Sequence, residues 1–512
     1  MKKYYITTPI YYVNDTPHIG HAYTTVAADV LSRYHRLRGE DVYFLTGTDE
    51  HGSKIEQAAQ KAGTSPKEFA DHISSEFRKA WEELGISFSG FIRTTDPKHE
   101  SAVKSFLQKL FDKGLIYKGN YSGLYCVGCE QFYKKGELVD GKCPEHLIKP
   151  EVVEEENYFF KLSRYQKRLE KLIADGKLRV LPEVRKNETL GFIRQGLEDF
   201  SVSRPKERLS DWGIPVPGDD SQVMYVWFDA LTIYMTAVGW NWDLKKFKTW
   251  WPADLHVIGK GIYRFHTVYW PAMLLSTGFP LPKAVLVHGY VTSDGQKMAK
   301  SLGNVVDPEK LLAKYGTDPV RYYLLKEIPT QSDGDFTEAR FKEVYNADLA
   351  NGLGNLVARV LTMADKFTGG KVPSVDQDPD AHPLRVDEKI YNWKKAWQAI
   401  DQHVNAYEFQ RALEAIWEFV HAADKYIDEN KPWELAKKGQ QKEIDWVVYG
   451  LLDSLHQLAW QIYPFLPGTA QKVAHALSIE KLLAKNPIFK DSWVNIKPGT
   501  KIKKIKPLFP RL

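Results

Sequence analysis

Cysteine is scarce: three in 512 residues, all lying between Cys126 and Cys143. An odd, clustered number in a chain with no secretion signal excludes a disulfide framework as the source of stability. Long apolar runs are missing too. No stretch of about 18 apolar residues occurs, so no membrane-spanning helix is expected. Met1, Lys2 and Lys3 do precede an apolar segment, yet that segment is aromatic, contains Pro9 and lacks a small-residue cleavage site. The expectation is a cytoplasmic protein. Also absent are internal repeats, low-complexity tracts and a Gly-x-x-x-x-Gly-Lys-Ser/Thr phosphate loop, so any nucleotide site must rest on other features. A formal charge of +5 is too small over this length to argue by itself for a polyanionic partner. What remains is ordinary globular composition, 43% hydrophobic and 26% charged, at a length that predicts roughly two to four domains.

Residues 4–13 are rich in aromatic and β-branched side chains and predict a strand. Ala22, Val26, Val30, Tyr34 and Leu37 then recur at helical spacing up to Gly39, so a helix follows. Between them lies a polar turn, Asn14-Asp15-Thr16-Pro17-His18-Ile19-Gly20-His21. A turn that opens a helix presents free backbone N–H groups and the positive end of the helix dipole, which suits an anion. His18 and His21 can reach phosphate oxygens there, with Gly20 permitting close approach; two surface histidines in a turn is the alternative. Residues 41–46 predict a second strand, ending in a second polar turn that carries Asp49, Glu50 and His51. Strands alternating with helices predict a parallel α/β sheet, whose ligand crevice lies at the carboxyl ends of the strands. Ser65-Pro66-Lys67-Glu68 is a capping box that starts a helix running to about Glu83, residues 91–94 predict a third strand, and Pro97 starts a helix that stops near Gly114. From about Tyr117 to Leu209, glycines, short aromatic segments and the cysteines predict a small β-rich insertion. Strands of the main sheet are then expected at 224–229, 255–260 and 284–288. Residues 339–476 read as amphipathic helices forming a bundle, with Leu349, Leu353, Leu356, Val360 and Met363 on one buried stripe. The basic segment 501–507 reads as a solvated tail.

Two constellations carry chemistry. Cys126-Val127-Gly128-Cys129, then Cys143-Pro144-Glu145-His146 after thirteen residues, supply four ligands of the kind tetrahedral zinc prefers, with no position left open, so a structural zinc is expected. A reduced buried-thiol cluster is the alternative. Lys297-Met298-Ala299-Lys300-Ser301 follows a glycine-containing turn. Two ammonium groups on long stems suit a triphosphate, because they can follow its charge through a reaction and release it; an exposed basic loop is the alternative.

The His18/His21 turn paired with the Lys297/Lys300 loop resembles the class I aminoacyl-tRNA synthetases, whose signatures read His-Ile-Gly-His and Lys-Met-Ser-Lys-Ser. Only Ala299 departs, replacing serine. The resemblance narrows to the methionyl-tRNA synthetase family and covers nearly the whole chain, in the single-knuckle form. It implies a Rossmann-like catalytic domain in two halves (1–116 and 210–288) split by a zinc-binding insertion (117–209). A lysine-loop and stem-contact region (289–338), a helical anticodon-binding domain (339–480) and a tail packing back on the core (481–512) complete the expected order. ATP, with Mg2+, is expected against His18, Gly20, His21, Lys260, Lys297, Lys300 and Ser301. Methionine is expected among Ile10, Tyr12, Asp49, Trp227, Ala230, Tyr234, Ile262 and His266. Where the family usually has aspartate after Lys260, this chain has Gly261. Asn355, Arg359 and Trp433 resemble anticodon-reading positions; from the residues alone Trp433 reads as a core residue at a helix start, and Asp49 equally as a helix N-cap.

The reaction implied is methionine activation by ATP, with His18, His21, Lys297 and Lys300 stabilising the phosphates, followed by transfer to the 2′-hydroxyl of the terminal adenosine of tRNA(Met), elongator and initiator. A monomer is expected, since no appended tRNA-binding module follows the helical region. A large editing insertion, as in leucyl, isoleucyl and valyl enzymes, does not fit within 117–209, and no cysteine lies near the first signature as a cysteinyl enzyme needs. A small nucleotidyltransferase and a tRNA-binding paralogue without catalysis are the other classes.

Overall fold

The computed structural model of the 512-residue chain describes residues 1–126, 131–133, 135–144, 147–209, 212–298, 303–375, 384–386, 389–391, 393–480 and 495–512. The first strand, β1 (Lys3–Tyr12), leads through the polar turn into helix α1 (Ile19–Leu37) and on to β2 (Asp41–Asp49). Tyr4, Ile6 and Phe44 face one core and Tyr5 and Leu45 the other, the period-2 alternation of a strand covered on both sides. Pairing of β1 with β2 shifts register between Thr7 and Ile10. Pro9 sits in that gap and has no N–H to give to the ladder. Gly39, at φ 77, ends the α1 segment in the left-handed conformation that a side chain would resist.

The expected capping box is present: Glu68 N–H donates to Ser65 Oγ at 3.3 Å and Ser65 N–H to Glu68 Oε2 at 3.0 Å, launching the helix Pro66–Glu83. Strand Gly90–Arg93 and helix Pro97–Asp112 follow. The main sheet runs in the order Gly90–Arg93, β2, β1, Leu255–Gly259, Ala284–His288, Arg179–Leu181, with every pairing parallel. The strand order reverses beside β1, so a crevice opens between the carboxyl ends of β1 and Leu255–Gly259.

Two expectations need correction. Residues 224–229 are not a strand of the main sheet: Asp219–Met224 belongs to a three-stranded side sheet, and Val226–Thr236 is a helix. That helix is buried almost all round, so its short apolar run carries no period to separate helix from strand. The second correction concerns the insertion. It is built on the antiparallel pair Ile116–Cys126 and Glu151–Phe160, but it also contains helices Gln166–Ala174 and Glu183–Arg194 and gives strand Arg179–Leu181 to the edge of the main sheet. Three residues are too few to show alternation.

Helices Asn355–Phe367, Phe409–Asn430 and Gln441–Ile462 pack into the helical region, and the expected stripe from Leu349 to Met363 is buried. The tail lies on this region: Ile502 N–H donates to Gly370 O, and Leu508 and Phe509 are buried. Lys501, Lys504 and Lys506 are exposed, whereas Lys503 is half-buried and pairs with Glu480 at 2.9 Å, so the segment is only partly solvated and its apolar residues pack. No helix among the described residues is long and apolar enough to cross a membrane.

One buried charge ties α1 to the helix Thr317–Glu327 and, through it, to the helical region. Asp29 on α1 accepts from Arg33 Nε at 2.8 Å, from Ser87 N–H at 2.7 Å and from Arg321 at 2.7 Å, with Asp29 and Arg321 both fully buried. Arg321 also donates to the carbonyls of Phe465, Pro464 and Leu84. Burial opposes the Asp29 charge, but the two guanidinium groups and Ser87 overcome it and hold the carboxyl well below the usual carboxylate range. Removing one partner of such a pair costs about 3–5 kcal/mol. Asp29→Ala is therefore expected to lower unfolding stability by about that amount in urea titration, an effect within about 1 kcal/mol overturning the linkage. Because the folded pKa lies below the unfolded value of about 3.9, this contribution is full above that pH and is lost as pH falls below it, so Asp29→Ala should show a flatter acid limb than the parent.

Candidate active site

A cavity of about 430 Å³ lies in the crevice beside β1. At one end, His18 caps α1: its Nδ1 accepts from Gly20 N–H at 3.1 Å, and His21 Nδ1 accepts from His18 N–H at 3.3 Å. The two imidazoles thus form a reciprocal capping box, with rings stacked at 3.6 Å. Backbone N–H groups can only donate, so both Nδ1 atoms are unprotonated and each neutral ring carries its proton on Nε2. Burial pushes His18 down to about 4, and burial with the neighbouring His18 ring pushes His21 well below its ordinary value. The pair offers neutral donors, not cations. A Cβ on Gly20 would fall 2.9 Å from His18 Cε1, so the side-chain-free position is a condition of this stack.

The opposite wall is aromatic. Trp227 stacks on Phe265 at 3.9 Å between ring centres, and Tyr234 hydroxyl lies 2.7 Å from His266 Nε2. His266 Nδ1 lies 3.0 Å from the Ile262 carbonyl and so donates to it, which makes Nε2 the acceptor and Tyr234 the donor. Burial lowers His266 to about 4, keeping it neutral. Asp49, at the carboxyl end of β2, reaches the same cavity. It is not a helix cap, because the next helix, Ser53–Ala62, starts from Gly52 without a side-chain cap.

The turn behind Asp49 is fixed by buried charge. Glu50 takes Arg93 at 2.6 and 2.8 Å and Thr48 Oγ1 at 2.7 Å. Asp229, on the helix that carries Trp227, Ala230 and Tyr234, bridges His51 Nδ1 at 2.7 Å and His99 Nε2 at 2.6 Å. Burial opposes charge on Asp229 and on His51, but the hydrogen bonds prevail: Asp229 stays below the usual carboxylate range and His51 is raised.

Of the expected residues, Ile10, Tyr12, His18, Gly20, His21, Asp49, Trp227, Ala230, Tyr234, Ile262, His266 and Lys297 line this one cavity. Lys260 is not among its walls; its ammonium pairs with Asp333 at 2.7 Å. Lys300 and Ser301 lie outside the described residues. Phe265, which with His266 resembles a pocket element of the family, also lines the cavity, whereas sequence reasoning missed Tyr133, His288 and Tyr290 there. The position of His288 at the end of a main-sheet strand was the available signal; Tyr133 arrives from the insertion and had none.

The expected zinc ligands are half described. Cys126 and Cys143, one from each knuckle, are fully buried in a small cluster with Tyr133 and Leu138. So few apolar residues bury too little surface to hold a fold by themselves, and two thiols there suit a soft cation as the missing cross-link. Cys129 and His146 lie outside the described residues, so no complete ligand set is seen among those described. In the helical region Asn355 is exposed, and Arg359 is held by Asp424 at 2.9 Å and Asp428 at 2.5 Å. Trp433 is 39% exposed at the start of Pro432–Lys437, not a core residue as its local pattern suggests.

Residues 4–149 and 145–361 match the family described as tRNA synthetases class I (M), and residues 390–507 match the anticodon-binding domain of tRNA ligase. The chain is 43% identical to a methionine–tRNA ligase of Thermotoga maritima, over 100% of this chain and 80% of that one. It is 46% identical to another from Caldanaerobacter subterraneus subsp. tengcongensis, over 100% and 79%. A solved Mycobacterium tuberculosis methionyl-tRNA synthetase in complex with methionyl-adenylate superposes with TM-score 0.93 at 40% identity, covering 100% of both chains.

The histidine cap has a direct spectroscopic test. An unperturbed imidazole titrates near 6.5, so with lowered values His18 and His21 stay neutral through pH 8 to about 5. Their ring resonances should be flat over that range in NMR titration; a midpoint near 6.5 for either would overturn the capping assignment.

Proposed function

The chain belongs to the methionyl-tRNA synthetase family of class I tRNA synthetases, and from that premise we propose how its residues divide the work. The protein activates L-methionine with ATP, giving methionyl-adenylate and pyrophosphate, and then charges tRNA with the methionine. The observation that carries our assignment is the meeting of the two-histidine cap, Asp49 and the Trp227 wall in one cavity at the reversal of strand order.

We assign Asp49 to the substrate's α-ammonium, with Ile10, Tyr12, Trp227, Ala230, Tyr234, Ile262 and His266 around its side chain. Sulfur–aromatic contacts favour a thioether by about 0.3–1.5 kcal/mol each. Because Nε2 of His266 is filled by Tyr234, the wall presents no free imidazole acceptor at that atom, which favours an apolar ligand over a hydroxylated one. The methionine carboxylate attacks the α-phosphorus, and negative charge builds on phosphate oxygens. His18 and His21 donate Nε2–H bonds there, with Gly20 and the α1 N-terminus beside them. Positive charge comes from Lys297 and Lys300, with Ser301 contributing its hydroxyl and Lys260 acting from its pair with Asp333. Magnesium accompanies ATP. In the second step the 2′-hydroxyl of the terminal adenosine of tRNA(Met), elongator or initiator, attacks the activated carbonyl.

We assign zinc to Cys126, Cys129, Cys143 and His146, where it would supply the cross-link that steadies the segment carrying Tyr133. Asn355, Arg359 and Trp433 are assigned to the anticodon, through base-edge hydrogen bonds and stacking. Arg359 would exchange its two carboxylate partners for a base. We place the enzyme in the cytoplasm as a monomer.

ATP–pyrophosphate exchange across the standard amino acids should proceed with methionine alone, whereas no exchange with any would favour a binding protein without catalysis. Trp227→Ala should raise KM for methionine about tenfold or more while KM for ATP moves by less than about twofold; equal effects would sink the pocket assignment. Purified protein should hold about one equivalent of zinc, and less than about half an equivalent would count against four-ligand closure.

A further inference from the structure

Lys260 does not wall the cavity, but Tyr290 does, and the Tyr290 ring meets both Lys260 and Lys297. The main chain of Tyr290 is fixed twice. Its N–H donates to Asp333 Oδ1 at 2.9 Å, and its carbonyl accepts from Gly334 N–H at 3.0 Å. The other oxygen of Asp333 takes the Lys260 ammonium at 2.7 Å. With its backbone held, the Tyr290 ring carries two cations: Lys260 Nζ lies 4.5 Å and Lys297 Nζ 4.9 Å from its centre. Gly261 completes the arrangement. A Cβ at that position would overlap the Tyr290 hydroxyl, while Cζ, the next atom of the side chain, would be at an ordinary 3.5 Å. The phenol therefore occupies the space that a Cβ at 261 would take, and a side chain there requires the hydroxyl to move.

We propose that Tyr290 is a positioning residue for ATP: its ring seats Lys297 on the phosphate side of the cavity, and Gly261 is glycine because the phenol occupies its side-chain space. A cation–π contact orders a long, flexible ammonium stem, and a phosphate with full negative charge can draw that ammonium away on arrival. Asp333 holds the second cation, Lys260, so the ring does not have to balance two unpaired charges. This inference rests on the ATP reading of the cavity.

The test is a mutant cycle in the full-length chain, read by ATP–pyrophosphate exchange with methionine. Gly261→Ala pushes the phenol off its seat and should raise KM for ATP about tenfold, with KM for methionine within about twofold of the parent. Tyr290→Leu removes the ring and should do the same. Tyr290→Phe keeps the ring and should cost about twofold in KM for ATP. In the Tyr290→Phe background Gly261→Ala should add nothing, because the clashing oxygen is gone. An unchanged KM for ATP in Gly261→Ala, an equal rise in both KM values, or additive effects in the double variant would each overturn the proposal. Absence of exchange in the parent protein would instead overturn the ATP reading itself.

Discussion

The buried carboxylate of Asp29 sets the frame in which everything else sits. It lies on α1, the helix whose N-terminus is the two-histidine cap, and it grips Arg321, whose guanidinium is bound to the carbonyls of Pro464 and Phe465. A helix of 19 residues is about 28 Å of stiff rod. One end of this rod presents the cap to the cavity, and its flank is bolted to the helical region through a charge that has no second place to go. A paired ion taken out of water tolerates no loss of its partner, so the register between the histidine turn and the helical region is fixed by electrostatics as well as by the apolar core that runs across both.

The cavity divides its electrostatic work by the same logic. Groups that must stay in place are neutral and hydrogen-bonded: His18, His21 and His266 are each kept uncharged by burial, with one ring nitrogen occupied by a backbone partner. The cationic group at the cavity rim, Lys297, is exposed and sits on a long stem. Preorganised neutral donors need no rearrangement as charge develops, and mobile ammonium groups can leave with the product.

Much of this was legible where chemistry is local. The capping box at Ser65 and Glu68, the strand–turn–helix around His18, and Asp49 at a strand end are all written within a few consecutive residues, and the structure has those elements. Legibility failed in two ways. Short buried segments lose their period, which is why residues 224–229 read as a strand although most of them belong to the helix Val226–Thr236, and Arg179–Leu181 as part of a separate insertion. Contacts between distant residues leave no local trace: nothing near Asp29 announces Arg321, and nothing near Gly261 announces Tyr290. Trp433 is the reverse case, since its local pattern suggests burial, and only the family resemblance assigns it a use on the surface.

The insertion bears on how such enzymes can be rebuilt. It gives the main sheet its edge strand Arg179–Leu181, lends Tyr133 to the cavity wall, and is latched to the element carrying His266 by Arg264 and Glu137 at 2.7 Å. It is therefore not a detachable cassette. A chimaera cut at residues 117 and 209 exchanges a sheet edge, part of a cavity wall and an ion pair in a single operation, and the safer seams run through the antiparallel ribbon of Ile116–Cys126 and Glu151–Phe160, which leaves the edge strand with its own sheet.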